Sequence, residues 1–586
     1  MFNSKKEKLF DVTKKEFTSE GTKTSTMTLP ENPFLRSGMK NSFETKSGNG
    51  SFKLSSSGSD FVDDFSNLSG YKKPRSFNEV SNTMSTLWAN NEDLAVRMAL
   101  YSRMITRTIQ LSDGSKTEES QRGQGLKNEG IMRFLWLAVY QEDTFWKNVD
   151  LLIAVGSWKD IFTLLSLDLQ YNGWEGRVLD WEKFGKLILA GLENSNTSEL
   201  VKKYLPQIKA KSKAKTLQSQ ANTLIGKWLC SLLFGTKANN ESTYKQYRVL
   251  KSKGTAHQWQ QLISQGKHNL VDFDSVHGRA LSKLVSGKYL KNQGLETKYQ
   301  EWISAKPTAK FTGYVYELFK PLGTSTHMSV GSLERYKIDT INKQFLELVD
   351  KAKNGLTENE NGLIGVMDTS ASMTSEVPGT GVSSYSVAKS LTLFMSYMLE
   401  GRFSDCYLEF SRGTVMKQWK GSTPIEKLCN DNSSVIDGTN FLSVADHFGK
   451  ILKEGVNENE FPSGIVCFSD GEFDRSSGWG NNGGLDTQKS TFHNLKTKLK
   501  SYGFSKKYVD NFKVILWDIR NGYYSTDTKT KFEDFADTPN LFHISGLDAS
   551  ALAFLTGTKK LESIPKNSDE LFLAAMNQEV LNMVEI

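Results

Sequence analysis

A carboxylate and two hydroxyls at alternate positions, Asp368, Ser370 and Ser372, are the residues of this chain best suited to chemistry. They follow the apolar run 363–367, which is typical of a buried parallel strand that stops at a polar break. In open α/β sheets, ligands bind at that carboxyl edge. Carboxylate and hydroxyl oxygens are ligands that Mg²⁺ accepts. The alternative interpretation is a strand end followed by Ser, Thr and Asp residues that cap a helix.

Two later stretches favour the metal interpretation. The sequence DGTNF at 437–441 places Thr439 just before an amphipathic helix, and GIVCFSDGEFD at 464–474 predicts a second apolar strand that stops at Asp470. This order of residues resembles the metal-ion-dependent adhesion site of von Willebrand factor type A domains. The resemblance implies that Mg²⁺, or another divalent cation, is bound by five residues: Asp368, Ser370, Ser372, Thr439 and Asp470.

The elements needed to position these residues can also be predicted. Between 362 and 586, apolar runs alternate with helical patterns, which indicates a doubly wound α/β domain with a parallel sheet and helices on both faces. Between 79 and 350 the apolar period is helical throughout, which predicts an all-α, HEAT-like repeat domain that could close into a ring.

The remaining segments complete a multidomain organisation. The Ser-, Thr- and Lys-rich segment 1–78 is predicted to be disordered, although its stretch DFVDDFSNL is apolar enough to dock on another surface. The polar segment 351–361 is predicted to be a hinge before the α/β domain. A chain of 586 residues is too long for a single core, which agrees with this division.

Charge is distributed unevenly along the chain. Residues 201–310 contain 20 Lys and Arg against 5 Asp and Glu, a net charge of +15, whereas the whole chain has a net charge of +7. Such a block can neutralise several phosphates, and aromatic residues lie among its cations. A solvated basic face is the alternative. The candidate RNA-binding residues are Arg122, Lys202, Lys203, Lys209, Lys211, Lys213, Lys215, Lys245, Arg248, Lys251 and Lys253.

With both halves considered, the chain resembles the Ro/TROVE family, in which a helical-repeat RNA-binding ring precedes a von Willebrand A domain. It is more similar still to a related family of plant and large-virus proteins. In the helical half the resemblance rests on QRGQGLKNEG at 121–130, VGSWKDIFTL at 155–164, KWL at 227–229 and YKQYR at 244–248. In the other half it rests on DTSASM, DGTNF and FSDGEFD. The resemblance implies a ribonucleoprotein component whose metal site binds an acidic group of a partner protein.

No enzyme motif was identified: the chain has no Walker A loop, HExxH or GxSxG sequence, so we expect binding rather than catalysis. Four scattered cysteines and no hydrophobic signal core predict a cytoplasmic protein without a membrane partner, or a virion-associated one if it is virus-encoded. The alternative function is a non-enzymatic assembly scaffold that recruits protein partners through the type A domain. A phage or a virus could encode such a scaffold. The oligomeric state is not predicted.

Overall fold

A computed structural model of the chain divides into two compact units. The helical unit comprises Pro74–His257 and a return segment, Leu573–Ile586, and the sheet unit comprises Thr28–Lys73 and Gln258–Phe572. No helix in the described part of the chain is both long enough and apolar enough to span a bilayer. The described residues are 44–46, 52–54, 59–68, 75–105, 107–119, 121–210, 212–235, 240–254, 258–276, 278–311, 313–353, 362–377, 380–410, 414–432, 442–470, 486–519, 540–545 and 568–586.

The helical unit consists of helices that begin at side-chain caps. Ser76 and Glu79 form a capping box, and Asp180 and Thr216 each accept a hydrogen bond from a backbone N–H of the first turn. The helices span Phe77–Asn90, Glu92–Arg103, Lys127–Tyr140, Glu142–Lys147, Val149–Val155, Trp158–Asn172, Trp181–Glu193, Ser198–Tyr204, Leu217–Phe234 and Glu241–Ser252.

Buried ion pairs fix how these helices pack. Arg133 is fully buried, and its Nε lies 2.9 Å from Glu129 Oε1, while Arg75 Nε donates to the other Glu129 oxygen at 3.0 Å. Arg103 pairs with Asp160 at 2.7 Å. Removing one partner of such a pair leaves an uncompensated buried charge, which costs about 3–5 kcal/mol. The Arg103–Asp160 pair therefore joins two helices, and the Arg75–Glu129 pair joins the segment before helix Phe77–Asn90 to helix Lys127–Tyr140.

The return segment completes the core of the helical unit. Its residues Val580 and Leu581 are fully buried, and the turn at Leu581–Met583 lies against helix Glu92–Arg103. The Asn148 side chain forms two hydrogen bonds with the backbone of Glu585. Its Nδ2 donates to the Glu585 carbonyl at 2.5 Å, and its Oδ1 accepts from the Glu585 N–H at 3.0 Å. The last residues of the chain thus belong to a unit whose other residues precede position 258.

We therefore expect Leu581→Ala to destabilise the helical unit by about 2–4 kcal/mol, because it leaves a cavity in that core. Hydrogen exchange measured by mass spectrometry should show faster exchange in helix Glu92–Arg103. Met583→Ala is the matched control, since Met583 is 38% exposed and its truncation should change stability by less than about 0.5 kcal/mol. Unchanged exchange in that helix for Leu581→Ala would contradict the prediction.

A six-stranded sheet organises the sheet unit. The strands of the unit are β1 Glu44–Lys46, β2 Phe52–Leu54, β3 Leu363–Asp368, β4 Glu376–Val377, β5 Val382–Ser383, β6 Cys406–Phe410, β7 Thr414–Gln418, β8 Gly464–Ser469, β9 Lys513–Asp518 and β10 Leu541–Ser545. The strand order in the six-stranded sheet is β10-β9-β8-β3-β6-β7, and all neighbours are parallel except β6 and β7. Two small antiparallel pairs, β1 with β2 and β4 with β5, lie outside this sheet.

Both faces of the central strands are covered. Along β8, Val466 and Phe468 belong to one apolar cluster, and Ile465 and Cys467 belong to the cluster on the other face. This alternation explains why the central strands are uninterrupted apolar runs in the sequence. The helices of the sheet unit span Asp60–Leu68, Gln258–Ser264, Arg279–Ser286, Tyr289–Asn292, Glu296–Ser304, Val315–Phe319, Arg335–Lys353, Ser384–Ser396, Pro424–Cys429, Ser443–Lys453, Asp486–Tyr502 and Lys506–Asn511, and helix Ser568–Met576 begins in it.

The combination of a helical region with an α/β domain is confirmed, but the predicted domain boundaries need correction. The units divide at 257/258 rather than at 351–361, because the helices after Gln258 pack with the sheet unit. Residues 351–353 end a helix, and 354–361 lie outside the described residues. The return segment, which the prediction placed in the domain at 362–586, belongs to the helical unit.

The prediction of disorder over 1–78 also needs correction where the structure describes that segment. Residues Asp60–Leu68 form a helix, and Phe61 and Phe65 are buried. Phe65 makes an edge contact with Phe572, with ring centroids 5.7 Å apart. The apolar stretch singled out in the sequence is therefore docked within the sheet unit.

Candidate metal centre at the carboxyl edge of the sheet

The candidate metal residues meet where β3 and β8 end side by side. The two strands are parallel, with Met367 opposite Phe468. Asp368 is the last residue of β3, and Asp470 directly follows the last residue of β8. Because neighbouring parallel strands end at the same edge, the sheet itself places both carboxylates there.

Hydrogen bonds fix the first loop around Asp368. Its Oδ1 accepts from the backbone N–H of Ser370 at 2.8 Å, and its Oδ2 accepts from the Ser469 hydroxyl at 2.6 Å. The hydroxyl oxygens of Ser370 and Ser372 lie 3.1 Å apart, at the start of a short 3-10 turn. One carboxylate and two hydroxyls from the predicted loop are therefore gathered within a few residues of backbone.

The electrostatics of the site favour a cation. Asp368 and Asp470 are both fully buried. The pKa of Asp368 is raised to about 7, first because burial disfavours the carboxylate and second because the negative charge of Asp470 acts on it. A divalent cation at this edge would offset both effects.

The donor set fits a hard cation such as Mg²⁺. Carboxylate and hydroxyl oxygens suit it, and the ion commonly keeps waters in its remaining positions. No cluster of three or more His, Cys, Asp or Glu side chains suited to a metal occurs in the described ranges, so the hydroxyls of Ser370 and Ser372 would have to take part. Thr439, the fifth predicted ligand, lies outside the described residues.

One acidic residue at this edge was missed by the sequence analysis. Asp518 ends β9, is 3% exposed and stands opposite Ser469 in the parallel register. Its position could have been predicted, because the apolar run 514–517 stops at an Asp as the runs before Asp368 and Asp470 do. The carboxyl edge therefore carries acidic residues after three neighbouring strands.

The predicted RNA-binding residues divide by exposure. The segment 205–216, which carries several of them, is not helical, and Lys211 lies outside the described residues. Helix Ser198–Tyr204 ends before this segment, because Pro206 disfavours a helical backbone at the residue before it. Arg122, Lys202 and Lys203 are half-buried. The exposed ones are Lys209, Lys213, Lys215, Lys245, Arg248 and Lys253.

Two of these candidates have structural partners. Lys251 Nζ donates to the backbone carbonyls of Lys203 at 3.0 Å and Leu205 at 2.5 Å, so its ammonium caps a helix end. Lys251 therefore has a structural role, and its assignment to RNA stays a prediction. Arg248 forms an ion pair with Glu241 on the same helix.

The loop at 122–125, on which part of the family resemblance rests, also has a structural role. The N–H groups of Gln124 and Gly125 donate to the carbonyls of Tyr101 and Met104 at 3.1 and 2.8 Å, at the end of helix Glu92–Arg103. A Cβ at Gly123 would lie 2.4 Å from the carbonyl oxygen of Met104, so only glycine fits there. Packing therefore accounts for the glycine at position 123.

No protein-family model matches the chain, and neither does any curated protein or solved structure. What the site does must therefore be argued from its residues and their geometry.

We expect Asp368→Asn to raise the melting temperature in metal-free buffer by about 3 °C, because it removes one of two like charges buried together. The Asn side chain can still accept from Ser370 N–H and donate to the Ser469 hydroxyl. The gain should be larger at pH 8 than at pH 5, since an acid whose folded pKa is raised destabilises the fold increasingly as pH rises towards that pKa. Thermal melts with EDTA test this.

Thermal melts in which Mg²⁺ replaces EDTA test the metal site. The unmodified chain should gain stability as Mg²⁺ binds the folded state, and Asp368→Asn should gain none. Asp510→Asn is the matched control, because this half-exposed carboxylate precedes β9, at the edge of the sheet opposite the site residues, and pairs only weakly with Lys500 at 3.5 Å. An equal Mg²⁺ response in all three proteins would contradict the assignment.

Proposed function

We propose that this protein is an RNA-binding ribonucleoprotein component whose sheet unit binds an acidic group of a partner protein through a metal ion. The single observation that best supports the second part is the convergence of Asp368, Ser370, Ser372 and Asp470 at one sheet edge. Under this proposal, the protein consists of a von Willebrand A-type domain and a HEAT-like RNA-binding half.

The strand order supports the type A assignment. A parallel sheet with one antiparallel edge strand, β7, and helices on both faces is the architecture expected of that domain class. The Asp-x-Ser-x-Ser loop follows the strand next to the one that precedes Asp470. Both observations agree with the family pattern on which the proposal is based.

The composition of the site supports binding rather than turnover. In the proposed site, Asp368 and Asp470 hold the ion together with the hydroxyls of Ser370 and Ser372, and Thr439 supplies a further hydroxyl. The bound ion supplies Lewis acidity towards one more oxygen ligand. Since neutral hydroxyls make up much of the donor set, the ion keeps Lewis acidity towards an anionic oxygen, and a carboxylate from a partner supplies that ligand.

The exposure of the basic residues supports RNA binding. Lys209, Lys213 and Lys215 are exposed on the non-helical segment 205–216, and none forms an ion pair with another described residue. A solvated cation can exchange its counterions for phosphate, which is the main source of affinity for nucleic acid. These three lysines are therefore the best candidates for phosphate contacts.

We expect the triple substitution of Lys209, Lys213 and Lys215 by Gln to weaken binding of single-stranded RNA. The slope of log affinity against log salt should become shallower by about 2, since each phosphate contact contributes about 0.7. Filter binding at increasing salt measures both quantities. RNA binding that is absent, or that does not depend on salt, would overturn the RNA part of the proposal and favour the scaffold.

A matched control for this triple variant removes the same charge elsewhere. Lys159, Lys183 and Lys186 are exposed in the same unit, and the last two already pair with Glu142 and Glu182. Their replacement by Gln should leave the salt slope close to that of the unmodified chain. An equal effect of both triple variants would show that net charge, rather than the 205–216 segment, determines affinity.

The two parts of the proposal can be separated by one further variant. We expect Asp368→Ala to abolish Mg²⁺ binding, measured by calorimetry, while RNA affinity changes less than about two-fold. The reason is that Asp368 and the basic segment belong to different compact units. A loss of both activities together, with the fold intact by circular dichroism, would show that the two sites are coupled.

A further inference from the structure

We propose that a cavity in the sheet unit binds a small amphipathic anion, of the class of a medium-chain carboxylate. The cavity has a volume of about 550 Å³, within the usual range for small-molecule sites. It is lined by residues of helices Arg279–Ser286 and Arg335–Lys353 and of the segment 317–321. None of these residues belongs to the candidate metal centre or to the basic segment.

The interior of the cavity is apolar because two separate cores meet there. Val285 belongs to one apolar cluster, whereas Phe311, Leu318 and Ile341 belong to the other. All four line the cavity and are at most 7% exposed. A hydrocarbon chain placed between the clusters would be buried on both sides, which is the main source of affinity for an apolar ligand.

The polar side chains inside the cavity already have hydrogen-bond partners. Gln344 Oε1 accepts from Ser282 at 3.1 Å, and Gln344 Nε2 donates to the carbonyl of Lys310 at 3.3 Å. The Thr340 hydroxyl donates to the carbonyl of Tyr336 at 2.6 Å. Because these groups do not need a ligand to satisfy them, the interior suits a hydrocarbon better than a sugar or a peptide.

The charged side chains that line the cavity favour a ligand with a negatively charged head group. Lys283, Lys320 and Lys337 line the cavity against one acidic residue, Glu317. Lys337 is paired with Glu334 at 2.9 Å, and Lys320 Nζ donates to the carbonyl of Thr380 at 2.5 Å.

Lys283 is the expected anchor for the anion. Its side chain is exposed and forms no ion pair within the described ranges, so its ammonium is available to a ligand. Lys320 keeps two further N–H donors and its charge on the same cavity. An anionic head at the opening, with an apolar tail inside, therefore matches both the charge and the lining.

Calorimetric titration of the full chain with decanoate, below its micellar concentration, tests this proposal. We expect one decanoate per chain, and binding about four-fold weaker for each methylene removed in shorter carboxylates. Decanol, which lacks the charge, should bind at least about ten-fold more weakly than decanoate. Lys283→Gln should cause a similar loss for decanoate but should not affect decanol.

Two further variants control for folding and for surface charge. Leu333→Trp replaces a lining residue by a larger one, which reduces the cavity volume and should weaken decanoate and decanol alike. Lys288→Gln removes an exposed lysine that does not line the cavity and should leave both affinities unchanged. The proposal is overturned if decanoate gives no saturable binding, if decanol binds as tightly, or if Lys283→Gln and Lys288→Gln behave alike while circular dichroism shows both folded.

Discussion

Two carboxylates buried at the ends of neighbouring parallel strands are the constraint on which the sheet unit depends. Parallel pairing of β3 with β8 places Asp368 and Asp470 at one edge, where both side chains are fully buried. Burial, and after it the negative charge of Asp470, raise the pKa of Asp368 to about 7. An arrangement that costs stability in this way is typical of sites adapted to a ligand rather than to the fold alone.

Two other buried acids, Glu129 and Asp431, have a cationic partner from the protein itself. Burial acts to raise the pKa of Glu129, but the hydrogen bond from Arg75 and the charge of Arg133 outweigh it and hold that pKa below its ordinary value. Asp431 is paired with Lys389 at 2.9 Å, with both side chains buried. Asp368, in contrast, accepts its hydrogen bonds from a neutral amide and a neutral hydroxyl. This difference in partners, rather than the number of acids, distinguishes the candidate site from the structural ion pairs.

The sequence was informative where structure depends on local pattern. The apolar runs predicted β3 and β8 to within a residue, because strands buried on both faces leave no polar position until they end. It failed where partners are distant: Gln578 holds the backbone of Arg122 from 456 positions away, and no periodicity records such a contact. The structural role of Lys251 was missed for the same reason, since a lysine that caps carbonyls and one that binds phosphate have the same sequence signature. The position of Asp518, by comparison, could have been found from its strand end.

The return segment has a consequence for how the helical unit is made and studied. Domains commonly fold in the order of synthesis, but here Leu581, part of the core of the helical unit, follows the whole sheet unit in the chain. A fragment that ends at residue 257 would lack that core residue and leave the buried amide of Asn148 without the Glu585 backbone groups it binds. Each unsatisfied group of this kind costs about 1–3 kcal/mol. The basic segment therefore has to be studied in a chain that includes its last fourteen residues, because the unit that carries it is complete only with them.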